Sequence, residues 1–172
     1  VASVGICLIH AYRNAAHEQA VARILAEEAP SLLVSFSSDV SPIWREYERA
    51  HTLAVNAYVK PAVSAYMRQI ASALESRGYA GRLLIMQSNG GLASIDVVEH
   101  RPVAMLESGP AAGALMASFY GDLTGARDII SFDMGGTTAK ACLIENGTPT
   151  VRGQFEIATE GYKPGSGYPI AT

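Results

Sequence analysis

Apolar residues recur along this chain in short blocks that switch between two periods. The run Val4-Gly5-Ile6-Cys7-Leu8-Ile9-His10 is nearly continuous and predicts a buried strand over 4–10. After it, Ala20, Val21, Ile24 and Leu25 fall at helical spacing, with Asn14 placed to cap the helix and Pro30 to stop it. "LLVSF" (32–36) predicts a second strand, making a strand–helix–strand unit of the usual parallel, right-handed kind. "SDVSP" then breaks the pattern, and Pro42 suits the first position of a long helix ending at Gly78. Its apolar face is expected at Ile43, Tyr47, Ala50, Ala54, Val63, Tyr66, Ile70 and Leu74, with a kink or a division at Pro61.

The second half is richer in strands. "RLLIM" (82–86) predicts a third, with the turn "QSNGG" at its carboxyl end. Pro110 can open a helix through Phe119 whose small residues, Ala111 to Ala114, permit close packing. "DIISFD", "TAKACLIE" and "TPTVRGQFEIA" predict successive strands, the last two joined by Asn146-Gly147, a strong two-residue hairpin signal. No internal repeat or low-complexity tract interrupts this order. The class is α/β.

Composition narrows the picture further. At 172 residues, 49% hydrophobic and 17% charged, the chain has enough apolar residues for a buried core and is unlike a disordered one. A formal charge of −3 with no basic stripe excludes a broad nucleic-acid surface. The apolar N-terminal run is too short to span a bilayer and has no basic leader. Cys7 and Cys142 lie in strand-like runs and are expected as buried free thiols of a reducing cytosol, so the localisation expected is cytoplasmic. The chain starts at Val1 inside a core-like strand and ends at "GSGYPIAT", which predicts a slice of a larger protein.

The chemistry concentrates in "SFDMGGTTAK" (131–140). A phosphate site needs converging backbone N–H groups and no side chains in the way, which Gly135 and Gly136 allow. Thr137 and Thr138 offer hydroxyls, and Asp133, at a strand end, can hold Mg²⁺ directly or through water. Strand rather than helix follows the glycines and no G-x-x-x-x-G-K-[ST] occurs, so this is not a P-loop. The plainer alternative is a turn whose glycines merely take positive φ.

"DMGGTTAK" resembles a phosphate loop of the actin-like ATPase superfamily. Five stretches, "REYER" (45–49), "NAYVKP" (56–61), "MQSNGG" (86–91), "SGPAAG" (108–113) and "FDMGGTT" (132–138), stand in the order of one branch, the hydantoinase/oxoprolinase A-subunit family. The resemblance implies a fragment of an actin-like ATPase (RNase H-like) fold, a mixed sheet with flanking helices and a β-hairpin phosphate loop. It implies that residues 1–50 end the N-terminal lobe and that 51–172 start the hydantoinase A-type lobe. It also implies ATP and Mg²⁺ as cofactors, hydrolysis of a cyclic amide such as hydantoin or 5-oxoproline, a B-type partner subunit, and homo- or hetero-oligomers. The common family pattern has aspartate where this chain has Lys140, which can meet a phosphate or pair with an acidic neighbour.

Other readings stand beside this one. The chain can be part of an ATP-handling ketone carboxylase subunit, of a sugar-kinase-like phosphotransferase, or of a non-catalytic subunit-contact module. Asn89, with Gly90 and Gly91, lies where open α/β sheets place ligands, and can equally form a plain Asn-Gly turn. "ESGPAAG" lacks the glycines of a nucleophile elbow at Ser108, and suits a helix N-terminus or close helix packing. His10, His17, His51 and His100 show no ligand spacing, and "REYER" reads as a solvated helix face. No catalytic residue is singled out.

Overall fold

The computed structural model describes residues 1–151 and the strands Gln154–Ile157 and Tyr168–Ala171. The chain divides into two compact units. One comprises residues 1–83, 94–103 and 153–172, and the other residues 84–93 and 104–152. Among the described residues, no helix is long and apolar enough to cross a membrane.

In the first unit, β1 (Ser3–Ile6) and β2 (Leu33–Phe36) pair in parallel, Ser3 opposite Leu33 and Ile6 opposite Phe36, with α1 (Ala16–Glu28) between them in sequence. This is the expected strand–helix–strand unit. β1 is shorter than predicted because the chain turns after Ile6, and His10 takes a left-handed φ of 60°. Asn14 acts at the start of α1, its Oδ1 accepting the Ala16 N–H at 3.0 Å. Val21 and Ile24 are exposed, and the buried residue of α1 is Glu18.

After the single turn α2 (Ser37–Val40), α3 runs unbroken over Glu46–Glu75. Pro42 therefore lies in the preceding loop and does not open the helix, and Pro61 sits inside it without dividing it. The expected apolar face is out of phase: Tyr47 and Tyr66 are more than half exposed. The buried stripe is instead largely polar, through Arg49, Thr52, Asn56, Lys60 and Ser64. Leu53 and Met67 supply its apolar part, beside Ile6, Val40, Val98 and Val103 in the same core.

That stripe is buried because each group has a partner. Lys60 Nζ donates to the Val34 carbonyl at 2.8 Å and to Ser35 Oγ at 3.2 Å. Asn56 Nδ2 donates to Ser35 Oγ and to the His100 carbonyl, while its Oδ1 accepts the Val103 N–H at 3.1 Å. Burial pushes the Lys60 ammonium below its ordinary pKa, against the pull of Asp39 and Glu99.

Arg49, fully buried, donates through its guanidinium to Ser37 Oγ (3.0 Å), the Ile43 carbonyl (2.8 Å) and the Leu8 carbonyl (2.9 Å). Ser37 passes the link on, donating to Glu18 Oε1 at 2.6 Å. The "REYER" segment is thus not simply a solvated face, although Arg45 and Glu48 do form an exposed ion pair.

Glu18 is likewise fully buried and accepts the Leu8 N–H and the Ser38 N–H, each at 2.8 Å. Burial alone would raise its pKa, but the bonds from Ser37, Ser38 and Leu8 outweigh it and hold the carboxyl below its ordinary value of 4.5. A depressed carboxyl pKa adds stability above the unfolded value, and that stability is lost as pH falls through the folded value. Acid unfolding followed by circular dichroism below about pH 4.5 should therefore be shallower in Glu18→Gln than in the wild type. An equal acid slope would show that Glu18 is not the titrating group.

The rest of this unit comprises α4 (Ile95–His100) and β8 (Gln154–Ile157) paired antiparallel with β9 (Tyr168–Ala171).

In the second unit, β3 (Leu84–Met86) pairs with β4 (Leu92–Ser94) across the 87–91 turn. A short 3₁₀ turn (Pro102–Met105) precedes α5 (Ser108–Thr124), which starts two residues before Pro110 and extends past Phe119. The strands β5 (Ile129–Met134), β6 (Ala139–Glu145) and β7 (Thr148–Pro149) form an antiparallel meander. Among the described residues, parallel and antiparallel pairings are divided between separate sheets.

Asn146 and Gly147 both take positive φ, 53° and 79°, and join β6 to β7 as their sequence predicts. The sheet lies against α5 so closely that a Cβ on Gly121 would stand 2.4 Å from Ile129 Cδ1 and 2.6 Å from the Ala126 carbonyl oxygen. The carbonyl is backbone and cannot swing away. Gly121→Ala is expected to cost about 1–3 kcal/mol in denaturant unfolding.

Candidate functional site

β5 and β6 are held in register with Asp133 opposite Lys140 and Met134 opposite Ala139, which leaves Gly135, Gly136, Thr137 and Thr138 as the tip. One backbone bond, Gly135 N–H to the Thr138 carbonyl at 3.0 Å, closes the loop. Neither glycine lies in the left-handed region, so positive φ is not what the turn requires of them. What they supply is room: a Cβ on Gly136 would meet nothing within 4 Å, and one on Gly135 only the Thr138 carbonyl oxygen at 4.0 Å. Asp133 and the whole tip are exposed. The loop is open to an incoming group from the backbone side.

Asp133 and Lys140 line a cleft of about 240 Å³ beside the bare flank of α5, where Pro110, Gly113 and Ala114 leave space. Lys140 is taken by a salt bridge with Glu107, the residue preceding α5. Glu107 holds a left-handed φ of 69°, unusual for a residue with a side chain. Of the two roles open to Lys140 from sequence, pairing with an acidic neighbour is the one the side chain adopts. Sequence reading missed Glu107; its position beside a helix start was the available signal.

Asn89, Gly90 and Gly91 sit in the β3–β4 turn and not at the end of a strand in the parallel β1–β2 sheet, as an open-sheet ligand site would require. Gln87 N–H donates to the Gly91 carbonyl at 2.8 Å, and the Gly91 N–H donates to Asn89 Oδ1 at 2.8 Å. Gly90 has φ 83°. The Ser88 N–H and hydroxyl both donate to the Ala104 carbonyl, fixing the turn. Asn89, Gly90 and Glu107 line a second cleft of about 330 Å³; Gly91 stays outside it.

Ser108 opens α5 and carries no sign of a nucleophile elbow. Both cysteines are free and half-buried, and Cys142 lines both clefts. His10 and His17 share a small groove in the first unit. Among the described residues, no group of three or more His, Cys, Asp or Glu is placed to hold a metal ion.

The sequence profile of Hydantoinase/oxoprolinase proteins matches residues 49–171. The chain belongs to this family. An uncharacterised protein of Methanocaldococcus jannaschii is 39% identical over 171 residues, which is 97% of this chain and 25% of that protein. The alpha subunit of the caprolactamase of Pseudomonas jessenii is 33% identical over 147 residues, 86% of this chain and 21% of the subunit.

The nucleotide-free structure of acetone carboxylase, from work on ATP-dependent acetone carboxylation, superimposes on the whole chain with a TM-score of 0.82 and 25% identity. That likeness gives the chain the mixed α/β architecture of an actin-like ATPase-type fold. This member of the hydantoinase/oxoprolinase family spans about a quarter of the length of these relatives.

Proposed function

We propose that this chain contributes the phosphate-holding hairpin of an ATP-dependent hydrolase of cyclic amides. The observation that carries the reading is the bare tip of the β5–β6 hairpin, with unobstructed backbone at Gly135 and Gly136 beside the exposed carboxylate of Asp133. Backbone N–H groups of the tip and the hydroxyls of Thr137 and Thr138 would bind phosphate oxygens. Asp133 would hold Mg²⁺. A single carboxylate fits that ion, which keeps several waters and takes further oxygens from phosphates. When bound, Mg·ATP would supply the phosphoryl group that, placed on the amide oxygen, turns a poor electrophile into one that water can attack.

The remaining groups support these. Glu107 keeps Lys140 beside the loop, and Asn89 and Gly90 border the adjoining cleft. A family match starting at residue 49 supports reading 1–50 as the end of one lobe and 51–172 as the start of the next. A relative that is the alpha subunit of its enzyme supports a second kind of subunit as partner. A cytoplasmic location is part of the same reading.

The test is calorimetric titration of the full-length protein with Mg·ATP, followed by ATP turnover with hydantoin, 5-oxoproline and ε-caprolactam. Heat of binding and amide-stimulated turnover are expected. Absence of both would leave the loop a plain turn. The likeness to acetone carboxylase favours one second reading, an ATP-handling carboxylase subunit. Turnover that requires bicarbonate and a ketone, and ignores cyclic amides, would select it.

A further inference from the structure

We propose that the 330 Å³ cleft between the 87–91 turn, α5 and β7 seats the ring of the cyclic amide. This rests on the function proposed above and adds where the ring lies and what selects it. The cleft is walled by Leu115, Pro110 and Pro149, and its polar groups are few: Asn89, Glu107 and Thr150 among them. An apolar pocket with a few convergent polar groups suits a small, largely neutral molecule.

The charge balance points the same way. Glu107 is the acidic group of the cleft, and its salt bridge with Lys140 offsets its charge. Asn89 Oδ1 is occupied by the Gly91 N–H, which leaves the Nδ2 donors for a carbonyl oxygen. Thr150 has a hydroxyl oxygen that can accept an N–H. A cyclic amide presents one C=O and one N–H on the same edge of a compact ring, and meets both needs.

Continuity with the phosphate loop places that ring usefully. Pro110, Ala114 and Cys142 line both clefts, and the Glu107–Lys140 pair joins a side chain of one to a side chain of the other. A ring in the larger cleft therefore lies next to the cleft that holds Asp133.

The experiment uses the full-length protein, with hydantoin and ε-caprolactam as probes. Binding is read by saturation-transfer NMR without nucleotide, and Mg·ATP binding separately by calorimetry. Leu115 lies on α5 at 39% exposure, so Leu115→Trp fills the cleft from its wall. It should weaken probe binding about tenfold or more while leaving the Mg·ATP heat unchanged. Leu115→Ala, which enlarges the cleft, should shift preference several-fold towards the seven-membered ring.

Asp133→Ala should do the reverse of Leu115→Trp, losing Mg·ATP heat and keeping probe binding. Probe binding indifferent to both Leu115 variants would overturn the ring site and leave the phosphate loop standing. Loss of Mg·ATP heat in Leu115→Trp, with probe binding intact, would assign the cleft to the nucleotide and overturn it too. A protein that binds neither probe nor Mg·ATP would sink the ring site together with the function on which it rests.

Discussion

Replacing Asp133 by alanine in the full-length protein is expected to remove Mg²⁺-dependent ATP turnover while leaving the fold intact. The carboxylate stands at the shoulder of the hairpin, exposed, opposite Lys140 and one residue from the end of β5. Losing a metal anchor where charge develops costs several kcal/mol, on the order of a hundredfold or more in rate. Little packing is lost, because an exposed side chain contributes few buried contacts, so the thermal midpoint should move by no more than a degree or two. Lys140→Ala should weaken turnover less, since the ammonium is already engaged by Glu107. Near wild-type turnover in a folded Asp133→Ala protein would make the hairpin a structural turn.

The largest effect on stability is expected at Arg49. Its guanidinium is sealed from water and binds two backbone carbonyls and Ser37, which in turn binds the buried Glu18. Arg49→Ala leaves the Ile43 carbonyl without its donor, the Leu8 carbonyl with only the Ala11 N–H at 3.2 Å, and Glu18 without the cation behind its serine. Breaking a buried charged network in this way costs about 3–5 kcal/mol. For a chain of this size that lowers the thermal midpoint by roughly 10 °C, readable by calorimetry. Arg49→Lys should recover only part of it, because an ammonium cannot reach three acceptors in the guanidinium's fork. A midpoint unchanged in Arg49→Ala would show the network to be energetically neutral.

These two residues mark the limits of what local sequence reveals. Asp133 was legible because everything that places it is near in the chain: a strand ending in "FDM", two glycines, and a strand returning to the Asn146-Gly147 turn. Alternation and turn chemistry act over a few residues, so β5, β6 and the Asn146-Gly147 turn follow from the sequence alone, and the strand–helix–strand rule gives the parallel β1–β2 unit. The strand expected over "TPTVRGQFEIA" does not form as one piece: β7 ends at Pro149, and Gln154–Ile157 pairs instead with β9. The five ordered stretches also sufficed to place the chain in its family, and the family profile agrees.

Tertiary structure decided which side of each element faces inward. Apolar periodicity put Tyr47 and Tyr66 on the inner face of α3, whereas Arg49, Asn56 and Lys60 occupy it. The reason is hydrogen bonding across distance: Lys60 and Asn56 satisfy groups of β2 more than twenty residues away, and Arg49 reaches the Leu8 carbonyl from 41 residues away. A periodicity that counts only hydrophobicity assigns polar groups outward, because burying them is unfavourable until a partner is supplied. The pairing of Lys140 with Glu107 is of the same kind, 33 residues apart and invisible until α5 and the hairpin pack together. The sequence determined β5, β6, the Asn146-Gly147 turn and the glycine loop proposed to hold phosphate. Which charges stand beside that loop, and which polar side chains hold the first unit together, only the packed chain could decide, because each depends on a partner that the chain brings near only by folding.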